Sequence, residues 1–149
     1  MRVESATVSE AGGRGEAMAN AVTISGRCAC GAVSFNADGP FRDAIACHCR
    51  SCRHQSGHYL AATAAAIDKV AIDGADGLTW YEATPHARRG FCRICGSLMF
   101  WKPASGTHMS IMMGAIDDPG DIRLTGHIFV SEKGAYYAIG DGLPQKDEE

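Results

Sequence analysis

Hydrophobic and polar positions alternate along most of this chain, in runs too short to be helices. Val22-Thr-Ile-Ser-Gly-Arg-Cys28 and Ala32-Val-Ser-Phe35 alternate or carry β-branched residues, as short strands do. Further strand-like runs follow at Tyr59–Ala62, Lys69–Asp73, Leu78–Tyr81, Arg88–Cys92, Ser97–Trp101, His108–Met113 and His127–Val130. Turn formers separate most of them: Gly39-Pro40, Gly74, Gly77, Pro85, Pro103, Gly106 and Asp118-Pro119-Gly120. Strands at this spacing predict a mainly β domain, with one or two helical turns near Arg50–Ser56. Ala61–Ala66 has helical propensity but is short and uncapped, so it predicts no helix by itself. Residues 1–20 are small, polar and without periodicity, which predicts a disordered tail. The folded domain is expected over residues 21–145, and 146–149 read as a polar exit.

Composition sharpens this picture in one respect. The chain of 149 residues is 46% hydrophobic, but that share includes 23 Ala and 7 Cys. Only 38 Val, Ile, Leu, Met, Phe, Trp and Tyr remain to build a core. A core that thin usually needs a staple, and the cysteines are the residues to supply it. The formal charge is −3, which equals the charge of the final Asp147, Glu148 and Glu149. No Lys/Arg run exists, so the basic footprint of a sequence-independent nucleic-acid binder is missing. No apolar run approaches the ~20 residues of a membrane span. The N-terminal stretch has no apolar segment of the secretory type, so a cytoplasmic location is expected. Thiols stay reduced there, and seven is odd; both facts favour metal ligands over disulfides. Two other chemistries find no support. There is no Gly-x-Ser-x-Gly elbow, and Gly12-Gly13-Arg14-Gly15 has neither a strand before it nor Lys-Ser/Thr after it.

The cysteines fall into three clusters: Cys28-Ala-Cys30, Cys47-His-Cys49-Arg-Ser-Cys52 and Cys92-Arg-Ile-Cys95. Cys92-x-x-Cys95-Gly96 is half of a zinc knuckle, with Gly96 giving the turn its positive φ. Structural zinc takes four ligands, and Cys28 with Cys30 is the natural second pair. Residues i and i+2 of a strand lie ~6.6 Å apart. Sulfurs on a tetrahedral zinc with ~2.3 Å bonds lie only ~3.8 Å apart. The strand must therefore end or curl at Cys28, and Gly31 permits this. Cys47, Cys49 and Cys52 form a possible tripod for a second ion. Three protein ligands with an open position mark a catalytic site rather than a closed one. Three thiolates on Zn²⁺ leave a charge of −1, which suits an incoming thiol better than water activation. Two alternatives stay open for this cluster: a closed zinc site completed by His48, His54 or His58, and redox thiols without metal.

At this point the residues resemble a known family. Gly26-Arg-Cys28-Ala-Cys30-Gly31-Ala-Val33-Ser-Phe35, Cys47-His-Cys49-Arg-Ser-Cys52-Arg53 with Gly57, and Phe91-Cys92-Arg-Ile-Cys95-Gly96-Ser97 are similar to three motifs of the glutathione-dependent formaldehyde-activating enzymes, whose family also includes centromere protein V. Gly114-Ala-Ile-Asp117-Asp118-Pro119, His127-Ile-Phe-Val130 and Asp141-Gly142-Leu143-Pro144 extend the resemblance, which covers Val22 to Gln145. It implies a small β-tent fold of stacked antiparallel sheets with two zinc ions per chain. It places one ion on Cys28, Cys30, Cys92 and Cys95 and the other on Cys47, Cys49 and Cys52, with glutathione beside the second. The implied activity is a carbon–sulfur lyase reaction in reverse, joining glutathione to formaldehyde. Cys47, Cys49 and Cys52 would carry the catalysis. Arg50 and Arg53 would meet glutathione's carboxylates, or else form a solvated surface pair. Gln55 and His58 are further candidate contacts, with His58 either a proton shuttle or a structural residue. His108 and His127, in strand-like runs, are expected to be structural. The family commonly has Trp shortly before Asp-Gly-Leu-Pro; Tyr136-Tyr137 stand near that place here. Another thiol–carbonyl substrate, or a non-enzymatic zinc module for a protein or peptide, are the alternative functions.

Overall fold

The computed structural model describes residues 22–149, so the tail expected over residues 1–20 lies outside the described residues. Ten strands and one helix follow in order: β1 (Thr23–Arg27), β2 (Ser34–Asp38), β3 (Arg42–Cys47), α1 (Arg50–Ser56), β4 (Leu60–Ala66), β5 (Val70–Asp73), β6 (Leu78–Thr84), β7 (Ala87–Cys92), β8 (Leu98–Pro103), β9 (His108–Met112) and β10 (Leu124–Ile128). Single 3-10 turns at Ile67–Lys69, Ala75–Gly77 and Met113–Ala115 lie between strands, and a fourth at Val130–Glu132 follows β10. The mainly β class and the helix at Arg50–Ser56 agree with the expectation. No helix among the described residues is long and apolar enough to cross a membrane.

Three local differences have physical causes. β3 has no counterpart among the expected strands, because its buried positions are Ala44 and Ala46, too small to stand out as hydrophobic. β4 runs on through the Ala-rich stretch to Ala66, because it lies between β3 and β9 and hydrogen-bonds to both; tertiary pairing overrides a weak helical propensity. β10 starts three residues before the expected His127–Val130 run and ends before Phe129, which takes a left-handed φ of 55°.

The strands form two sheets. β1-β2-β5 is an antiparallel three-stranded sheet, and β10-β3-β4-β9-β8-β7-β6 is a seven-stranded one. The larger sheet is not wholly antiparallel as the resemblance implied: β10 runs parallel to β3. After β9 the chain leaves this sheet, bridges β1 at Gly26–Ile116, and re-enters beside β3 in the same direction. Beyond β10 the C-terminal segment stays attached: Lys146 N–H donates to His127 O, and Val130 N–H donates to Lys146 O.

Alternation of the large sheet divides its apolar residues between two faces. Met109, Ile111, Phe100 and Ala65 pack with Ile24, Phe35 and Ala37 of the small sheet, forming the main core. Leu60, Met112, Ala62, Leu98 and Trp101 form a smaller cluster on the opposite face, around Cys47, Cys49 and Cys52. The two sheets are locked by Phe35, whose ring meets Phe100 edge-on at 5.3 Å between centroids. Phe35→Ala should therefore destabilise the fold by about 3–5 kcal/mol, the usual cost of emptying a buried aromatic site. Denaturant unfolding checks this; a loss below about 1 kcal/mol would place the core elsewhere.

Candidate metal centres and thiol site

Two groups of sulfurs converge, and both can hold a metal ion. Cys28, Cys30, Cys92 and Cys95 bring their Sγ atoms within 4.8 Å of one another, as do Cys47, Cys49 and Cys52. None of the seven cysteines is in a disulfide.

The four-cysteine group is built from two chain turns. β1 ends at Arg27, so Cys28 and Cys30 lie just past the strand, and Gly31 turns the chain with φ 85°. This brings their sulfurs to 3.6 Å, with Cys30 Sγ 3.8 Å from Cys92 Sγ. Those are the separations a tetrahedral thiolate site demands, near ~3.8 Å. The second turn follows β7, where Gly96 (φ 80°) donates its N–H to Cys92 O. Main-chain N–H groups of Val33, Ile94 and Cys95 point at sulfur: the first at Cys28 and the other two at Cys92, at 3.3–3.5 Å. Donors aimed at sulfur favour the thiolate, the form that binds metal. Ser97 ties the turns together, accepting from Ala29 N–H and lying 3.2 Å from Cys95 Sγ. Its contact pulls the Cys95 thiol down to about 5.

The three-cysteine group sits where β3 passes into α1. Cys47 ends β3, Cys49 caps α1, and Cys52 lies in its first turn. The Cys49 sulfur accepts the Cys52 N–H at 3.3 Å, so one atom is both helix cap and prospective ligand. Gly57 closes the helix in the left-handed conformation. Within the cluster, the bond from Cys47 and then the Arg89 guanidinium pull the Cys52 thiol down to about 6 against the effect of burial. Cys47 is pushed up by that same bond and by burial, and Cys49 is raised chiefly by burial. Cys52 is thus the first of the three to ionise.

Among the described residues no histidine nitrogen joins either group of sulfurs. Both nitrogens of His48 are engaged: Nδ1 with the Tyr137 hydroxyl at 2.5 Å, Nε2 with His127 Nδ1 at 2.9 Å. His127 Nε2 in turn lies 2.8 Å from Asp141 Oδ2. For neutral rings the direction of this chain is fixed from its anionic end. Asp141 only accepts, so His127 Nε2–H donates to it and His127 Nδ1 accepts from His48 Nε2–H. His48 Nδ1 then accepts the Tyr137 O–H. Burial pushes the His48 imidazole down to about 4, with the charges of His127, His58 and Lys133 adding to the effect. The unfolded chain, by contrast, protonates His48 near its ordinary 6.5. The linkage therefore has one sign: this contribution is intact above pH 6.5 and is lost as pH falls towards 4, by about 3 kcal/mol. Histidine NMR should show a His48 inflection near pH 4. An inflection near 6.5 would contradict the buried neutral ring.

The remaining sequence candidates distribute unevenly. Arg50 is exposed and its main-chain N–H donates to Glu132 Oε1. Arg53 is half-buried, and its Nε is buried without a partner, so the two arginines do not form a matched surface pair. Gln55 lines a cavity of about 420 Å³ with Ser56, Tyr59, Gly96 and Gly114. Leu60, Leu98 and Met112 also line it and belong to the apolar cluster around the three cysteines. His58 is exposed, with Nδ1 bonded to the Tyr136 hydroxyl. Tyr136 and Tyr137, with ring centroids 4.8 Å apart, stand against His58 and His48. His108 is exposed, whereas His127 is buried in the chain just described.

One participant, Arg89, escapes the sequence reading, and so does the pairing of His48 with His127 and Asp141. Arg89 is 5% exposed and donates towards Cys52 Sγ; its phase with buried Ala87 along β7 is the signal that marks it. His48 and Asp141 join Tyr137 only through the fold, across 79 to 89 residues for the His48 bonds, and no spacing rule reaches that far.

Residues 23–132 match the profile of a family described as glutathione-dependent formaldehyde-activating enzyme. No curated protein matches the chain. Among solved structures, the crystal structure of a Rhodobacter sphaeroides protein is similar, with 24% identity and a TM-score of 0.55. The match covers 81% of this chain and 98% of that one, and shows a shared fold.

Proposed function

The chain belongs to the glutathione-dependent formaldehyde-activating enzyme family, and from that premise we propose that it joins glutathione, or a similar thiol, to formaldehyde or another small aldehyde at Cys47, Cys49 and Cys52. The carrying observation is the unequal ligand count: four converging sulfurs in one group and three in the other, with no histidine completing the second among the described residues. Closed sites have four protein ligands; reactive ones keep a position open. The donor sets fit zinc: sulfurs of the four-cysteine group stand at tetrahedral separations, those of the three-cysteine group converge within 4.8 Å, and N–H groups are aimed at both.

A zinc ion bound by Cys47, Cys49 and Cys52 would supply a Lewis-acidic fourth position at which a thiol is held deprotonated. The protein's own residues provide the rest. The cavity beside α1 falls within the ~300–1,000 Å³ range of small-molecule sites, and there thiol and aldehyde would lie near one another. Holding both partners supplies most of the rate through proximity. Arg50 and Arg53, which flank Cys52, are the cations we assign to the two carboxylates of glutathione. Gln55 contributes a neutral contact from the cavity wall. In the reaction the thiolate sulfur bonds the carbonyl carbon, the π pair moves to oxygen, and that oxygen takes up a proton. His58 is the donor we assign, Tyr136 engaging Nδ1 and leaving Nε2 to exchange protons. Seven free thiols suit a reducing compartment, in keeping with a cytoplasmic location.

The test is the exchange rate between glutathione and its formaldehyde adduct, measured by exchange NMR with catalytic amounts of zinc-loaded protein. Acceleration above the spontaneous rate supports the reading. No acceleration with both metals bound refutes the formaldehyde reaction and favours another thiol substrate or a non-enzymatic binding module.

A further inference from the structure

Arg89 is a cation in an unusual place. It lies in β7 opposite Trp101 of β8, with 5% of its surface exposed. A guanidinium keeps its charge in proteins, and a buried charge requires a counter-charge. Among the described residues no carboxylate oxygen lies within 4.0 Å of it. Its Nη1 and Nη2 instead lie 3.7 and 3.6 Å from Cys52 Sγ, Nη2 also donates to Ser51 Oγ at 3.2 Å, and Nε has no partner. The sulfur of Cys52 is therefore the anion that the fold offers this cation. Charge counting gives the consequence. Three thiolates around a divalent ion carry −1, and a thiolate arriving at the open position would make it −2. With Arg89 against Cys52 the same two states carry 0 and −1.

We propose that Arg89 is a positioning residue for the three-cysteine centre: by donating to Cys52 it fixes that ligand and offsets the charge, so that the open position accepts an anionic sulfur. This inference rests on the functional reading only in requiring a divalent metal at Cys47, Cys49 and Cys52; it does not depend on formaldehyde. An opposite charge within ~4–6 Å typically shifts ionisation by 1–3 units, which corresponds to a change of about 10- to 1,000-fold in thiolate affinity.

The probe is 2-mercaptoethanol, a thiol without carboxylates, titrated at fixed pH into cobalt-loaded full-length protein. Thiolate-to-cobalt absorption reports its arrival at the open centre, while the closed four-cysteine centre does not respond. Removing the charge in Arg89→Met should raise the thiol midpoint by about 10- to 1,000-fold, and Arg89→Lys, which keeps the charge, should restore most of the affinity. Equal midpoints in wild type and Arg89→Met overturn the proposal alone, as do Met and Lys variants that are equally weak. Wild-type protein whose cobalt spectrum ignores thiol overturns it together with the functional reading. Should Arg89→Met fail to fold, the wild type decides. In cadmium-loaded protein the Arg89 guanidinium protons should show scalar coupling to the metal through Cys52 Sγ, and absence of that coupling overturns the proposal.

Discussion

Cys92→Ser should leave the chain without a cooperative fold. Cys92 is fully buried at the end of β7, and its sulfur takes two main-chain N–H groups as well as lying beside Cys30. The four-cysteine centre joins the start of the domain to its middle across 61 intervening residues. Structural zinc contributes ~10–16 kcal/mol in small peptides, whereas whole domains are stable by only about 5–15 kcal/mol. The apolar core is too lean to compensate, since many of its buried positions are Ala or Cys. A hydroxyl in place of the thiolate both weakens the metal and leaves the two part-buried N–H donors of Ile94 and Cys95 facing a shorter side chain. Circular dichroism with thermal unfolding reads the outcome. A sigmoidal transition at the wild-type temperature would show that the fold does not depend on this centre.

Cys49→Ser should act in the opposite way, removing function and sparing the fold. Cys49 belongs to the three-cysteine centre and caps α1, accepting the Cys52 N–H. Serine is among the best N-cap residues, so its Oγ takes over that bond and the helix survives at a cost of about 1 kcal/mol or less. The main core, on the far face of the large sheet, is untouched. The exchange reaction should fall to the spontaneous rate, with the metal count dropping from two to one. Metal analysis beside unfolding curves separates the cases. A variant that unfolds outright would make the second centre structural; one that keeps full acceleration would remove Cys49 from the reaction.

The contrast between these variants shows how far the sequence reaches. The cysteine clusters announce both centres because ligand spacing is a local property: Cys28-x-Cys30 and Cys92-x-x-Cys95 end strands where Gly31 and Gly96 let the chain turn. Most strands were legible from alternation, but β3 was not, because Ala44 and Ala46 fill a tightly packed interior without looking hydrophobic. The parallel placement of β10 was hidden too, since a detour through the Gly26–Ile116 bridge sets its direction. Around the second centre the sequence offered Arg50, Arg53, Gln55 and His58, all near Cys52 in the chain. The fold adds Arg89 on a distant strand, and the chain of Tyr137, His48, His127 and Asp141. These pairings depend on which strands become neighbours.

The central claim is that one centre is closed and the other open to a thiol. Cadmium NMR of the fully loaded protein tests it most directly. Two resonances are expected, one from four thiolates that ignores added glutathione and one from the three-cysteine centre that moves as a fourth sulfur arrives. Two resonances that both stay in place would contradict the account, because the second centre would then be as closed as the first.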